Sequence, residues 1–509
     1  MILLYALSQS LPPSTLTVST NTSSLFDPVT GECININGCR TTTGILWSCL
    51  SVILICTWVA IHPNIPRIGT HSMVVVYQNV RLMVIMVLGP EIIILWAMRQ
   101  WYSARSIAEK YKDYGWGMPH AFFVIMGGFA LYDGDTFHGY LWENQDIKEY
   151  IVRYNEVPPS GWKDDFHREH WDQIIQCHEK IKEVFSTPIN PHPEDMSTVE
   201  GVNALSEVKE SLVKSQPTCL LEYFLQKGYI TITEDEIKDR SHADFIAKSI
   251  ALIQTTWFIL QVAAHAAEHL AVTELEIITV GFALLNFGTY VFWWNKPLRV
   301  RFPVQVTWQQ QELPTSQLKK DDGGCMKAVQ EGFTKTLDYI CSHSFADEGP
   351  LVIQLILLPL WVTWDIIGTC LDLFGDNSLS IGEFSTRLKK DPPQLYITVY
   401  SIAAAFGAIH CIPWAFQFPT HTEQLLWQIC AVAAAAAPIA LGCMHWYGKL
   451  FHSTSMWLVW LIGITGVLLG LFYMISRLTL IILALMALRD LSPSAYQTIQ
   501  WTTFVSHIG

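Results

Sequence analysis

Charge is scarce in this chain. Asp, Glu, Lys and Arg make up 15% of its 509 residues, against about 25% in soluble domains. The formal net charge is -13, so no basic stripe exists to neutralise phosphates and a nucleic-acid partner is disfavoured. The 12 Cys include no CxxC pair, which excludes a zinc ribbon and a thioredoxin-like motif. P-loop, GxSxG and dinucleotide glycine motifs are missing, and no cofactor is implied. The paired aspartate-rich motifs needed to ionise a prenyl diphosphate are missing too. Met1–Leu7 is apolar but has no basic residue before it, so a cleaved signal peptide is poorly formed.

Apolar sequence is what the chain has in quantity. Half of its residues are hydrophobic and 20 are Trp, a residue that favours the boundary between hydrocarbon and water. A helix needs about 20 apolar residues to cross a bilayer. Gly44–Ile61, Leu82–Met98, Ala247–Ala271, Leu275–Trp294, Leu351–Leu371, Tyr396–Phe416, Gln424–Met444 and Met456–Leu488 meet or approach that length. The expected fold is therefore all-α, a polytopic transmembrane bundle of about eight spans in contact with lipid. His120–Leu131 is apolar but only half as long, and reads as an interfacial or re-entrant piece.

Two hydrophilic stretches interrupt the bundle. Residues 99–246 form a polar insertion, amphipathic and helical around Lys163–His170 and linker-like around Ile189–Glu200. Residues 296–350 form a shorter loop containing Lys319-Lys320-Asp321-Asp322-Gly323-Gly324. The remaining divisions are an N-terminal segment at 1–43, two membrane segments at 44–98, a helical hairpin at 247–295 and C-terminal helices at 351–509. The sole sequon, Asn21-Thr22-Ser23, makes Asn21 a glycosylation candidate. Cys33 and Cys39 are spaced for a small disulfide loop in an oxidising lumen. Together they place the N-terminus in the lumen of the endomembrane system, in the endoplasmic reticulum. Lys296, Arg299 and Arg301 mark one cytoplasmic end, and Arg99, Arg105, Lys110 and Lys112 another. A lumenal N-terminus cannot satisfy both if Leu82–Met98 crosses fully. Either that segment is re-entrant or His120–Leu131 is a further crossing.

An ionisable side chain in hydrocarbon costs about 2.5–3.5 kcal/mol on insertion scales and normally faces the bundle interior. Gln254, Gln261, His265 and Glu268 follow one helical face, as do Glu276, Thr279, Asn286, Tyr290 and Trp293. Gln354, Trp361 and Asp365 repeat the pattern, and Glu91 lies beside Pro90. Bundling would converge these stripes on one pocket, with Glu91, Asp365 and Glu276 as acid candidates and Gln254, Gln261, His265, Asn286, Tyr290 and Trp361 lining it. Helix–helix hydrogen bonding accounts equally for the amides and hydroxyls. A desolvated carboxylic acid among aromatic faces suits reactions that begin by protonating an epoxide or olefin. His265-Ala266-Ala267-Glu268-His269 also spells an H-x-x-E-H zinc motif, for which only Glu274 or Glu276 offers a nearby third ligand. Asp372–Glu383 has the length of an EF-hand loop but carries Phe374 and Asn377 where a ligand and a glycine belong.

Several strings are family-like. They are Gly38-Cys39-Arg40, Pro90-Glu91 with Trp96-Ala97, Lys238-Asp239-Arg240-Ser241, Gln254-Thr255-Thr256-Trp257-Phe258, Thr273-Glu274-Leu275-Glu276, Phe292-Trp293-Trp294-Asn295-Lys296-Pro297-Leu298, Leu488-Arg489-Asp490-Leu491 and Trp501-Thr502-Thr503-Phe504. In these the chain resembles a large, mostly uncharacterised fungal family of polytopic membrane proteins. It is similar more distantly, in span number and membrane carboxylates, to membrane-bound terpene cyclases of fungal meroterpenoid pathways of the ascofuranone type. That resemblance implies acid-initiated cyclisation or isomerisation of a lipophilic isoprenoid substrate, but no catalytic motif transfers. The alternatives are a non-catalytic sensor, scaffold or carrier, and a membrane metallohydrolase at His265 and His269.

Overall fold

The computed structural model describes residues 39–133, 136–141, 219–226, 228–241, 244–306, 325–343, 351–374, 384–386, 388, 391–450 and 456–498. In chain order they form α1 (Thr42–Trp58), α2 (Ser72–Leu88), α3 (Pro90–Lys110), α4 (Met118–Ile125), β1 (Phe129–Asp133) and β2 (Thr136–Tyr140). There follow α5 (Leu220–Gln226), α6 (Glu234–Asp239), α7 (Asp244–Ala267), α8 (Glu274–Trp293) and β3 (Val304–Val306). The chain continues with α9 (Cys325–His343), α10 (Leu351–Phe374), α11 (Pro393–Ile409), α12 (His421–Leu450) and α13 (Met456–Ala487). Asn21, Cys33 and the segments at 163–170, 189–200 and 319–324 lie outside the described residues. Cys39 is disulfide-bonded.

The eight expected spans are helical over most of their described length, but not all are long. Five helices are long and apolar enough to cross a membrane: Phe245–Ala267, Glu274–Trp293, Pro393–Ala415, His421–Tyr447 and Trp460–Ala487. The pair α2 and α3 adds a sixth if counted as one span, bent by 113°. Thr42–Trp58 and Leu357–Cys370 are apolar but shorter. The expected single segment Leu82–Met98 is thus two half-helices. Pro90 lacks an N–H and clashes with a preceding helical turn, which drives Gly89 out of the α region to φ -145° and ψ 71°.

One compact unit comprises the described residues within 1–105, 238–300 and 319–509. Its central element is α8, of whose apolar span 72% is buried, against 28–44% for the other long helices. Helices α1, α7, α11 and α13 pack around it. The outer faces are apolar: α13 exposes Leu461, Ile464, Leu468, Leu471 and Ile475. A continuous apolar face of that size is stable in lipid and not in water. Association in lipid rests on close packing of small residues, and the Ala-rich run of α12 meets α11 that way. A Cβ at Gly407 would sit 2.2 Å from the Ala434 carbonyl oxygen, so the helix backbones touch there. Replacing Gly407 with Ala is expected to lower stability by about 1–3 kcal/mol through overpacking, read as a lower unfolding temperature of the purified protein. Unchanged stability would show that the helices separate freely.

The second compact unit comprises the described residues within 106–237 and 301–318, and corrects the sequence expectation in two ways. The insertion is not purely helical or irregular: β1 pairs antiparallel with β2 and parallel with β3 in a three-stranded sheet. The two hydrophilic stretches, expected to be separate, therefore share one sheet. His120–Leu131 is not one apolar helix but runs from α4 into β1. Every residue of α4 from Pro119 to Ile125 is buried, and Phe122, Phe123 and Phe129 are fully enclosed, so the apolar run fills a small core. Trp116 stacks on both His120 and Phe129. His120 meets the Ile232 carbonyl through Nε2 at 3.1 Å, and burial pushes its pKa down.

Candidate functional site

The break at Gly89–Pro90 leaves the N-terminus of α3 inside the bundle, with Glu91 in its first turn. Helix N-termini carry unsatisfied N–H groups and partial positive charge, so a carboxyl group is favoured there. Glu91 is 9% exposed. Tyr473 and Arg477 on α13 face it, one helical turn apart, with Arg477 acting on Glu91 electrostatically. The Tyr473 hydroxyl is close to the carboxyl but outside hydrogen-bond geometry. Arg477 is 1% exposed and lies 4.1 Å over the Phe406 ring.

Unsatisfied groups define this centre. Glu91 Oε2, the Tyr473 hydroxyl, and Nε and Nη1 of Arg477 are all buried without a hydrogen-bond partner among the described residues. Each such atom costs about 1–3 kcal/mol, so a group of them in a folded protein calls for a function or a bound species. Asn286 on α8 likewise leaves both amide atoms unpaired.

The other two acid candidates are engaged differently. Asp365 accepts from Arg81 Nη1 at 2.9 and 3.0 Å and from the Tyr77 hydroxyl at 2.7 Å, tying α10 to α2. Glu276 pairs with Arg40 at 2.5 Å and closes the N-terminal capping box of α8 with Thr273. Both carboxyl groups are fixed by a guanidinium, an arrangement for joining elements rather than for delivering a proton. Among the described residues no hydrogen bond joins Glu91, Asp365 and Glu276 to one another, although Glu91 and Arg81 both act electrostatically on Cys370 of α10. A further buried pair, Arg99 with Asp391 at 2.6 Å, joins α3 to the start of α11, with the Tyr396 hydroxyl also on Asp391 at 2.6 Å.

Among the expected lining residues, Asn286 and Tyr290 are buried in α8, while Gln254, Gln261 and Trp361 are half-buried. His265 is buried with Nδ1 2.8 Å from the Gln261 carbonyl. The zinc spacing fails for a backbone reason. Helix α7 ends at Ala267 and His269 turns to a positive φ of 55°, so the two histidines do not share one helical face. Among the described residues no three His, Cys, Asp or Glu side chains group to hold a metal ion.

A second polar cluster lies just past the end of α8. Lys296, with no exposed surface, donates to the His62 carbonyl, to Asn64 Oδ1 at 3.1 Å and to Gln100 Oε1 at 2.7 Å. Its ammonium sits 4.8 Å from the Trp96 ring and 4.7 Å from the Trp293 ring. Trp293 Nε1 donates to Gln100 as well, at 3.0 Å. Desolvation, then the charge of Lys248, pushes the Lys296 pKa well down. Three acceptors and two aromatic faces compensate the ammonium, so the cluster closes on itself.

Against known proteins, the chain matches a family model described as "Family of unknown function (DUF8562)" over residues 161–319. No curated protein and no solved structure matches it. The matched stretch includes α7, α8 and β3.

Tyr473 and Arg477 are absent from the sequence reading of the site. A lone Arg inside the long apolar run Met456–Ala487 is itself the signal, since a charge there requires a partner or a cavity. Treating that run as uniformly apolar hides it.

Proposed function

We propose that this chain is a membrane enzyme that starts the isomerisation or cyclisation of a lipophilic isoprenoid substrate by proton transfer from Glu91. The supporting observation is the unpaired, buried Oε2 of Glu91 beside the Tyr473 hydroxyl and the unengaged N–H groups of Arg477. A proton donor must become a carboxylate as the reaction proceeds. Donors that bond the developing charge stabilise it, and Arg477 and Tyr473, beside the carboxyl group, would close on it as the charge forms. The apolar surroundings exclude water that would quench a substrate cation. Asp365 and Glu276 have no part in the proton transfer. Around this centre we infer eight membrane segments: the five long helices, the bent pair, and the two shorter helices α1 and α10. The protein would reside in the endoplasmic reticulum, with Asn21 on the lumenal side.

The test is expression in yeast fed an epoxy-farnesyl phenol, with a search for a cyclised product of unchanged mass. Wild type is expected to form it, and Glu91→Gln to lose about 10²–10⁴ in rate. Product formed equally well by Glu91→Gln would end the assignment. A second reading, a carrier, draws on the break at Gly89–Pro90, because discontinuous helices line binding sites in transporters. Folded wild type that makes no product while the membrane accumulates the phenol would favour it.

A further inference from the structure

A separate cavity of about 620 Å³ opens where the turn between α7 and α8 meets the end of α13 and the segment before α12. Its acidic lining consists of Glu274 and Asp490, and Phe416 and Phe418 contribute aromatic wall. Glu274 is 4% exposed. Among the described residues no side chain pairs with its carboxyl group; its own backbone N–H bonds it, and its charged neighbour is Glu276, of the same sign. The cavity wall includes His269, which makes no ion pair among the described residues, and the nearby guanidinium groups are already occupied. Arg40 bonds the Ala271 and Ala495 carbonyls and pairs with Glu276, while Arg489 pairs with Glu423. A roomy cavity thus holds a buried carboxyl group lacking a counter-ion, beside rings whose faces attract cations.

We infer that this cavity binds an organic cation, a protonated or quaternary amine, through Glu274 with Phe416 and Phe418 against its alkyl groups. The site is distinct from the Glu91 centre and uses none of its residues. A choline lipid headgroup and a soluble amine share the required chemistry.

Calorimetric titration of the full chain in dodecylmaltoside with tetrapropylammonium tests the inference, with propionate as the anionic control. Saturable binding is expected for the cation and none for propionate. Glu274→Gln should weaken binding about tenfold, the equivalent of one lost charge contact of about 1.4 kcal/mol. Phe418→Leu, which keeps the carboxyl group, should weaken it about threefold and serves if Glu274→Gln does not fold. Displacement by dihexanoylphosphatidylcholine would assign the site to a headgroup, and lack of displacement to a soluble amine. Folded wild type that does not bind the cation, or variants that bind it as tightly as wild type, would overturn the proposal.

Discussion

Replacing Asp365 with Leu is expected to destabilise the protein by about 3–5 kcal/mol, because it strands a buried guanidinium. Arg81 and Asp365 are each at most 5% exposed, and Arg81 Nη1 bonds both carboxyl oxygens. A buried pair owes little net stability to its mutual attraction, since desolvation offsets most of it; the large penalty arises when one partner goes. The double variant Arg81→Met with Asp365→Leu should therefore recover most of the loss. Thermal unfolding of the purified single and double variants measures this. If the single variant unfolds with wild type, or the double is no better than the single, the pair is not the joint between α2 and α10 described above. An acid working on substrate would behave otherwise, losing turnover without losing the fold.

The second large effect concerns Lys296. Lys296→Met removes one donor from the His62 carbonyl, Asn64 Oδ1 and Gln100 Oε1; Asn64 keeps its bond from Gln100 Nε2 and Gln100 its bond from Trp293 Nε1, so the expected loss is about 1–3 kcal/mol in all. The pH dependence carries a sign. Burial holds the Lys296 pKa below its ordinary value, so between the two values the unfolded chain binds more protons than the folded one, and stability rises with pH. Methionine does not titrate. The stability gap between wild type and Lys296→Met should therefore widen as pH is raised toward the ordinary lysine range, measured by denaturation at several pH values. A gap that narrows would mean that the acceptors and the Trp96 and Trp293 rings outweigh desolvation.

The sequence made the apolar segments legible because hydrocarbon imposes a length and a composition on whatever crosses it. It made the interruption at Pro90 visible as a residue but not as a bend of 113°, since proline is tolerated in membrane helices when neighbours satisfy the freed backbone groups. Glu91, Asp365 and Glu276 were indistinguishable by type. What separates them is that Arg81 and Arg40 bond two of them, whereas Oε2 of the third has no hydrogen-bond partner among the described residues, and such partnerships run between segments hundreds of residues apart. His120–Leu131 misled for the opposite reason. A short apolar run has the same composition in a spanning helix as in a small packed core, and the strand pairing with Val304–Val306 shows that part of it is strand.

That pairing bears on how the chain is made. Strand β1 is bounded on one side by β2, which follows it directly, but its other edge is completed by β3, which comes after α7 and α8. Synthesis proceeds at about 5–20 residues per second, so β1 presents an open edge for on the order of ten seconds while the intervening hairpin is inserted. An interval of that length gives chaperones a defined substrate. It also makes delayed insertion of α7 and α8 a route to aggregation of the small sheet before its last strand arrives.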